Sequence, residues 1–336
     1  ANRFANFSPI DGSHLADVSA GGKVEANAAV EAARKAFPTW AALGPKGRLP
    51  ILKKFAVGIL ARANELAAVE TMDNGSLLMG NVHRVIPRAA HNIDFFAEWA
   101  LTLEGHTIDS PEVINHIKYD PSGVAILITP WNAPFMLTTW KVGPALAAGN
   151  TIDRISFTGS TDTAKIIGQA AARSITPMSA ELGGKSPFII CADADLDAAA
   201  QTVAGQYMNA GQVCLAGTRI MVEKKVEEQF LEKVRNASSH MVVGDPREKD
   251  TRVGPLIHKD HFERVSGFVE RAKADGAVPV WGGGRSNFGE LYFEPTLFAD
   301  VNPALEISQR EVFGPVLTWQ SFSSDDEVVS LANNTK

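Results

Sequence analysis

A chain of 336 residues that is 45% hydrophobic and 21% charged is long enough for two domains with buried cores. Its net charge of −6, from 32 basic and 38 acidic residues spread without blocks of one sign, gives no footing for binding nucleic acid or an anionic membrane. Only two cysteines, Cys191 and Cys214, no apolar run of membrane-spanning length and no secretory pattern predict a cytoplasmic protein without disulfides, although the chain begins without Met.

Turn chemistry at Phe7-Ser8-Pro9-Ile10-Asp11-Gly12 leads to a short strand around Leu15 to Val18. Apolar residues at helical spacing then predict helices over Lys23 to Leu43, Lys46 to Met72 and Pro87 to Leu103. His83 and His91, eight apart, lack the further ligands a metal site needs and read as packing or surface residues. Alternation from Glu104 to Tyr119 around Asp109-Ser110-Pro111 predicts a β-hairpin.

The continuous apolar run Gly123 to Thr129 predicts a strand buried on both faces of a parallel sheet. It stops at Pro130-Trp131-Asn132, which puts Asn132 at a carboxyl strand end, where open α/β sheets bind ligands. An amide at that point serves equally well as a loop cap. A second strand, Ile155-Ser156-Phe157, runs into Thr158-Gly159-Ser160-Thr161 at the start of a helix. Gly159 and Ser160 there suit a pyrophosphate or an N-cap, and the two uses are compatible. No G-x-G-x-x-G or P-loop adds independent support.

Glu181, at an apolar strand end before Leu182-Gly183-Gly184-Lys185, is a candidate proton acceptor whose burial would raise its pKa. Ser186 to Cys191 is a strand, with Cys191 its buried end. Asp193-Ala194-Asp195-Leu196-Asp197 is acidic helix capping rather than a calcium loop, because Ala198 and Ala204 stand where that loop needs Gly and Glu. The helix it caps, running to Asn209, delivers Cys214 among small, flexible neighbours. A free Cys is usually a small buried hydrophobe, but small neighbours give a carbonyl access to the sulfur and leave backbone N–H groups to bind its oxygen. Beyond lie a strand over Arg219 to Val222 and helices over Val226 to Met241 and Lys259 to Ala274, with His258 and His261 solvated at the charged start of the latter. A turn at Trp281 to Gly284, a strand from Phe293, a turn at Gln309 to Val316 and a helix capped near Ser323 or Ser324 complete the chain.

Pro130-Trp131-Asn132, Phe157-Thr158-Gly159-Ser160-Thr161, Glu181-Leu182-Gly183-Gly184-Lys185, Gly211-Gln212-Val213-Cys214 and Glu311-Val312-Phe313-Gly314-Pro315-Val316 occur in an order that resembles the aldehyde dehydrogenase superfamily over nearly the whole chain. The resemblance implies an α/β fold with a Rossmann-type cofactor domain over 1–103 and 118–183, an oligomerisation hairpin over 104–117 and an α/β catalytic domain over 184–336. It implies a homodimer or homotetramer and NAD as cofactor, with NADP open. Cys214 becomes the nucleophile, Glu181 the base for thioester hydrolysis, Asn132 an oxyanion donor and Lys141 a lysine near the site. Trp131, Gly159, Ser160, Leu182, Glu311 and Phe313 become cofactor contacts, with Glu311 on the nicotinamide ribose and Phe313 beside the ring.

The chain departs from the family where Thr151 to Ile155 joins Asn150 directly to Phe157, leaving out about two βα units and the residues that hold the adenosine ribose. A Rossmann-like sheet is not expected to lose a central strand, so a break in the chain is expected at Asn150 to Ile152. The family also continues beyond Lys336. Ile86-Pro87-Arg88 to His91-Asn92, Phe95-Phe96-Ala97-Glu98 and Trp131 to Met136 resemble the branch that oxidises muconic semialdehydes, with Ala133, Trp140, Val213 and Leu215 lining the aldehyde path. The competing readings are a cofactor-independent thiol esterase or acyltransferase, a Coenzyme A-acylating relative, and a non-catalytic member of the fold.

Overall fold

The computed structural model describes residues 2–121, 123–149 and 153–335. The break expected at Asn150 to Ile152 lies outside the described residues. The chain forms two compact units, one of Ala1–Asn6, Ala16–Glu70 and Gly80–Leu182, the other of Phe7–Leu15, Thr71–Met79 and Gly183–Lys336.

In chain order, β1 (Asn2–Phe7) and β2 (His14–Ala20) pair as a ribbon, followed by α1 (Lys23–Ala42), α2 (Gly44–Ala61) and α3 (Ala63–Asn74). The long helix expected from Lys46 to Met72 is two helices. Its periodicity runs on through the junction, but Arg62 ends α2, its N–H turning back to the Ile59 and Leu60 carbonyls. A single turn, α4 (Leu78–Gly80), passes through a π-helical stretch over Asn81–Val85 into α5 (Ile86–Trp99). The buried Ile86, Ala89, Ala90, Ile93 and Ala97 recur at three- and four-residue steps and form one stripe of α5. Each fully buried Ile contributes about 1.5–3 kcal/mol. Asn92 crosses from α5 to donate to the Met136 carbonyl at 3.4 Å and Thr139 Oγ1 at 3.3 Å on α6 (Pro134–Ala147). Gly143 permits that approach, since a Cβ there would come within 3.1 Å of the Asn92 carbonyl oxygen.

Between α5 and α6 lie the hairpin of β3 (His106–Asp109) and β4 (Ile114–Ile117), then β5 (Val124–Ile128). After α6 come β6 (Asp153–Gly159), α7 (Thr161–Ala172) and β7 (Met178–Leu182). These three strands form a parallel sheet in the order β5-β6-β7, with Ile126 opposite Ile155 and Phe157 opposite Ala180. The sequence predicted β5 to be buried on both faces, but Ile126 is 48% exposed because β5 is an edge strand among the described residues. In the doubly wound strand order 3-2-1-4-5, the first, fourth and fifth strands are neighbours. Leaving out two βα units after the first therefore removes one side of the sheet, and the three remaining strands pair without interruption.

The second unit continues with β8 (Pro187–Ile190), α8 (Leu196–Gly205), β9 (Arg219–Glu223), α9 (Glu227–Ser238), α10 (Lys259–Ala274), β10 (Pro279–Trp281), β11 (Thr296–Phe298), α11 (Glu306–Gln309), β12 (Val316–Phe322) and α12 (Asp325–Ala332). Its sheet runs β10-β11-β12-β9-β8, parallel except for β10. The central β12 is the apolar spine: Val316, Leu317, Trp319 and Phe322 are buried, and Trp319 stacks on Phe230 with ring centroids 5.4 Å apart. Buried Arg219 donates to the Leu331 and Ala332 carbonyls at 2.8 and 2.6 Å, satisfying the end of α12. Asp195 caps α8 through the Asp197 and Ala198 N–H groups, as its acidic start suggested, and Ser324 caps α12.

Among the described residues no helix is long and apolar enough to cross a membrane, and no group of three or more His, Cys, Asp or Glu side chains is placed to hold a metal ion.

Candidate active site

In the first unit the candidate residues lie at the carboxyl ends of β5, β6 and β7, because these three strands run the same way. Trp131 and Asn132 follow β5 and are half-buried. Gly159 and Ser160 follow β6. Glu181 and Leu182 end β7, in register with Thr158 and Gly159. Lys141, on α6, donates to the Ile128 carbonyl at 2.6 Å and the Ser156 carbonyl at 3.2 Å, so one ammonium ties the end of β5 to the middle of β6. Burial lowers the pKa of Lys141, while the nearby Glu181 carboxylate acts to raise it.

Glu181 itself is exposed, contrary to the burial its apolar neighbours suggested, because β7 is an outer strand of the three-stranded sheet. Ser160 caps α7, its hydroxyl accepting from the Thr163 N–H at 3.2 Å. The N-cap use is thus present, and Asp162 adds a carboxylate to the same first turn. That carboxylate weakens the fit of this helix start to a pyrophosphate.

In the second unit α8 ends at Gly205 and the chain turns through Met208–Gly211, where Asn209, Ala210 and Gly211 have φ of 54°, 52° and 67°. Left-handed backbone costs a non-glycine residue roughly 1–2 kcal/mol, so two such residues in a row must be held by their surroundings. Gln212 holds them: fully buried, it donates to the Asn209 carbonyl at 3.1 Å and accepts from the Ile257 N–H at 3.1 Å. Gln206 Oε1 accepts from the Gly217 N–H at 3.0 Å on the other side of the loop. A Cβ on Gly211 would overlap the Gly314 carbonyl, so the two backbones touch. The outcome is an exposed Cys214 on an anchored turn.

Cys191 is also exposed, not the buried strand end expected, since the chain leaves the sheet at Ile190. Its thiol is pushed up by partial desolvation and by Asp193, Glu223 and Asp325, which disfavours the thiolate.

The Glu311 to Phe313 segment packs beside this turn. Gly184, Gly211, Val213, Glu311 and Phe313 are among the residues that line one cavity of about 10 Å³. The half-buried Glu311 carboxylate accepts from the Gly184 N–H; burial raises its pKa, opposed by Arg264, that hydrogen bond and Lys185. Gly183 lets the carboxylate lie close, since a Cβ there would displace it. A carboxylate oriented by a backbone N–H is an acceptor suited to a ribose hydroxyl, and half-buried Phe313 offers an aromatic face, so these two residues fit a nicotinamide riboside.

Three residues in this region carried no role in the sequence. Lys185 lies fully buried behind Glu311. His261 is buried rather than solvated, with Nε2 2.7 Å from the Phe313 carbonyl oxygen. Arg264, one turn along α10, donates to the carbonyls of Val312 at 2.5 Å and Glu311 at 2.8 Å. The available signal was the three-residue spacing of His261 and Arg264, which puts both on one helix face.

The first unit thus carries an amide and an acid at carboxyl strand ends, and the second unit an exposed cysteine on an anchored turn. The profile of the aldehyde dehydrogenase family matches residues 1–153 and 150–336. The chain is 34% identical to a 2-aminomuconic semialdehyde dehydrogenase of Danio rerio, covering 98% of this chain and 80% of the relative. It is 33% identical to a 5-carboxymethyl-2-hydroxymuconate semialdehyde dehydrogenase of Escherichia coli, covering 99% and 83%. A crystallised indole-3-acetaldehyde dehydrogenase of P. syringae, in complex with NAD+, superposes with a TM-score of 0.96 at 32% identity, over 99% of this chain and 79% of that one.

The chain belongs to the aldehyde dehydrogenase family, whose chemistry is oxidation of an aldehyde to the carboxylic acid with NAD(P). The alignments to the two relatives run over 390 and 394 residues against a chain of 336, and the family match falls into two pieces that meet at 150–153. The relatives carry residues that this chain lacks.

Proposed function

We propose that Cys214 is the nucleophile of an NAD(P)-dependent aldehyde oxidation, the reading carried by its exposure on a turn whose backbone strain is held by buried Gln212. The Cys214 thiolate adds to the aldehyde carbon, and the Asn132 amide and the Cys214 backbone N–H donate to the resulting oxyanion. When bound, the nicotinamide supplies the hydride acceptor that converts this adduct into a thioester. Glu311 holds the ribose hydroxyls and Phe313 the ring face. Glu181 takes a proton from water, the hydroxide adds to the thioester carbon, the C–S bond breaks, and the acid leaves with the thiolate restored. Lys141 ties β5 to β6 and lends positive charge to Glu181. Trp131, Gly159, Ser160 and Leu182 complete the cofactor contacts.

For the substrate we propose an unsaturated semialdehyde bearing a carboxylate. An exposed Arg88 guanidinium lies 5.4 Å from the ring centre of Trp140 and donates to Asn92 at 3.1 Å, a preorganised cation for such a group. The likeness to two muconic semialdehyde dehydrogenases supports this reading. The active form is a homodimer or homotetramer joined through the β3–β4 hairpin.

The test follows absorbance at 340 nm with NAD or NADP and a panel of simple, aromatic and muconic aldehydes, beside Cys214→Ala and Arg88→Met. Turnover should vanish in Cys214→Ala, and Arg88→Met should raise KM about tenfold for the carboxylated aldehydes alone. Turnover that survives Cys214→Ala would refute the nucleophile, and an equal change for every aldehyde would refute the role of Arg88.

A further inference from the structure

Phe313 has φ of 60°, a left-handed conformation that a bulky side chain adopts only when its surroundings impose it. The imposing contacts come from one face of α10. His261 Nε2 meets the Phe313 carbonyl at 2.7 Å, and since a carbonyl oxygen only accepts, that nitrogen carries the proton. Arg264 takes the next two carbonyls upstream, those of Val312 and Glu311. Two side chains three residues apart thus grip three consecutive carbonyls. The His261 ring also meets the Phe313 ring edge-on, with centroids 6.0 Å apart. Packing leaves little slack, because a Cβ on Gly314 would come within 2.8 Å of Val265, also on α10.

We infer that His261 and Arg264 are positioning residues that lock Glu311 and Phe313 in the geometry for holding a nicotinamide riboside, so that α10 sets cofactor affinity without touching the cofactor. This rests on the proposed roles of Glu311 and Phe313. A neutral ring with one N–H suffices for the grip, and burial keeps it neutral, pushing the His261 pKa down to about 4. Losing the donor leaves the Phe313 carbonyl without this bond and allows the backbone to relax from its left-handed state. Gln at 261 retains an N–H donor. Lys at 264 retains the charge but not the planar fork that spans two carbonyls.

The experiment measures NAD affinity by calorimetry, and steady-state KM and kcat, for the full chain and for His261→Leu, His261→Gln and Arg264→Lys. Cofactor-free acylation of Cys214 by p-nitrophenyl acetate reports the rest of the fold. His261→Leu should weaken NAD binding about tenfold and raise its KM alike, Arg264→Lys should do so about threefold, and His261→Gln should stay near wild type, all with unchanged Cys214 acylation. Unaltered NAD affinity in both His261→Leu and Arg264→Lys would overturn the inference, as would a loss of acylation that parallels the loss of NAD affinity. If wild-type protein acylates at Cys214 but binds no nicotinamide nucleotide, the cofactor reading falls and the positioning roles fall with it.

Discussion

Lys185 is buried, and its amine makes no hydrogen bond with the described residues. Burial, reinforced by Arg219 and opposed by Glu311, pulls its pKa down from 10.5 to about 7. Between those values the unfolded chain binds a proton that the folded chain does not, so this residue's contribution to stability grows as pH rises from about 7 toward 10 and is lost as pH falls. Lys185→Met should therefore stabilise the protein most near pH 7, the gain shrinking by at most about 1.4 kcal/mol per pH unit toward pH 10. Urea unfolding at four pH values checks this, and a pH-independent difference would refute it. Much of the candidate site was legible at this scale because Asn132, Glu181, Cys214 and Glu311 sit in short motifs whose chemistry depends on residue type. Burial was not legible. Glu181 and Cys191 lie exposed and His261 buried because neighbouring elements, not adjacent residues, decide which side chains reach solvent.

Among the elements, α10 follows its periodicity at both ends, since its His258 cap and its Phe262, Val265, Phe268 and Val269 stripe are local signals. The split between α2 and α3 was not readable, because apolar spacing continues across Arg62. Nor was the edge position of β5, since an apolar run does not say how many strands flank it. The β3–β4 hairpin was predicted from alternation alone, and it exposes apolar residues on both faces, Ile108 on one and Ile114 on the other. A two-stranded ribbon with two wet apolar faces is marginal by itself. Ile108→Asp should thus lower the molar mass measured by light scattering to that of a smaller species while Cys214 acylation persists. An unchanged mass would remove the hairpin from the proposed subunit contact.

At the scale of the molecule, the two sheets differ in protection. In the second unit β12 has paired strands on both sides and a nearly continuous buried sequence, whereas the parallel sheet of the first unit has three strands among the described residues, of which β5 and β7 are outer ones. Hydrogen exchange should accordingly be slowest in Val316–Phe322 and at least about tenfold faster in Val124–Ile128. Equal protection of the two strands would show that β5 has a covering partner in solution. The interleaving of Phe7–Leu15 and Thr71–Met79 with the second unit was not legible in the sequence, because it depends on contacts far apart in sequence.

The meeting of Gly211 with Gly314 makes the separation of two segments a property of the main chain. The turn that presents Cys214 is spaced from the Glu311 to Phe313 loop by main chain against main chain, with no side chain in the gap to mutate. Substitutions at Val213 and Leu215 leave this spacing untouched, whereas any side chain at Gly211 would push the two segments apart.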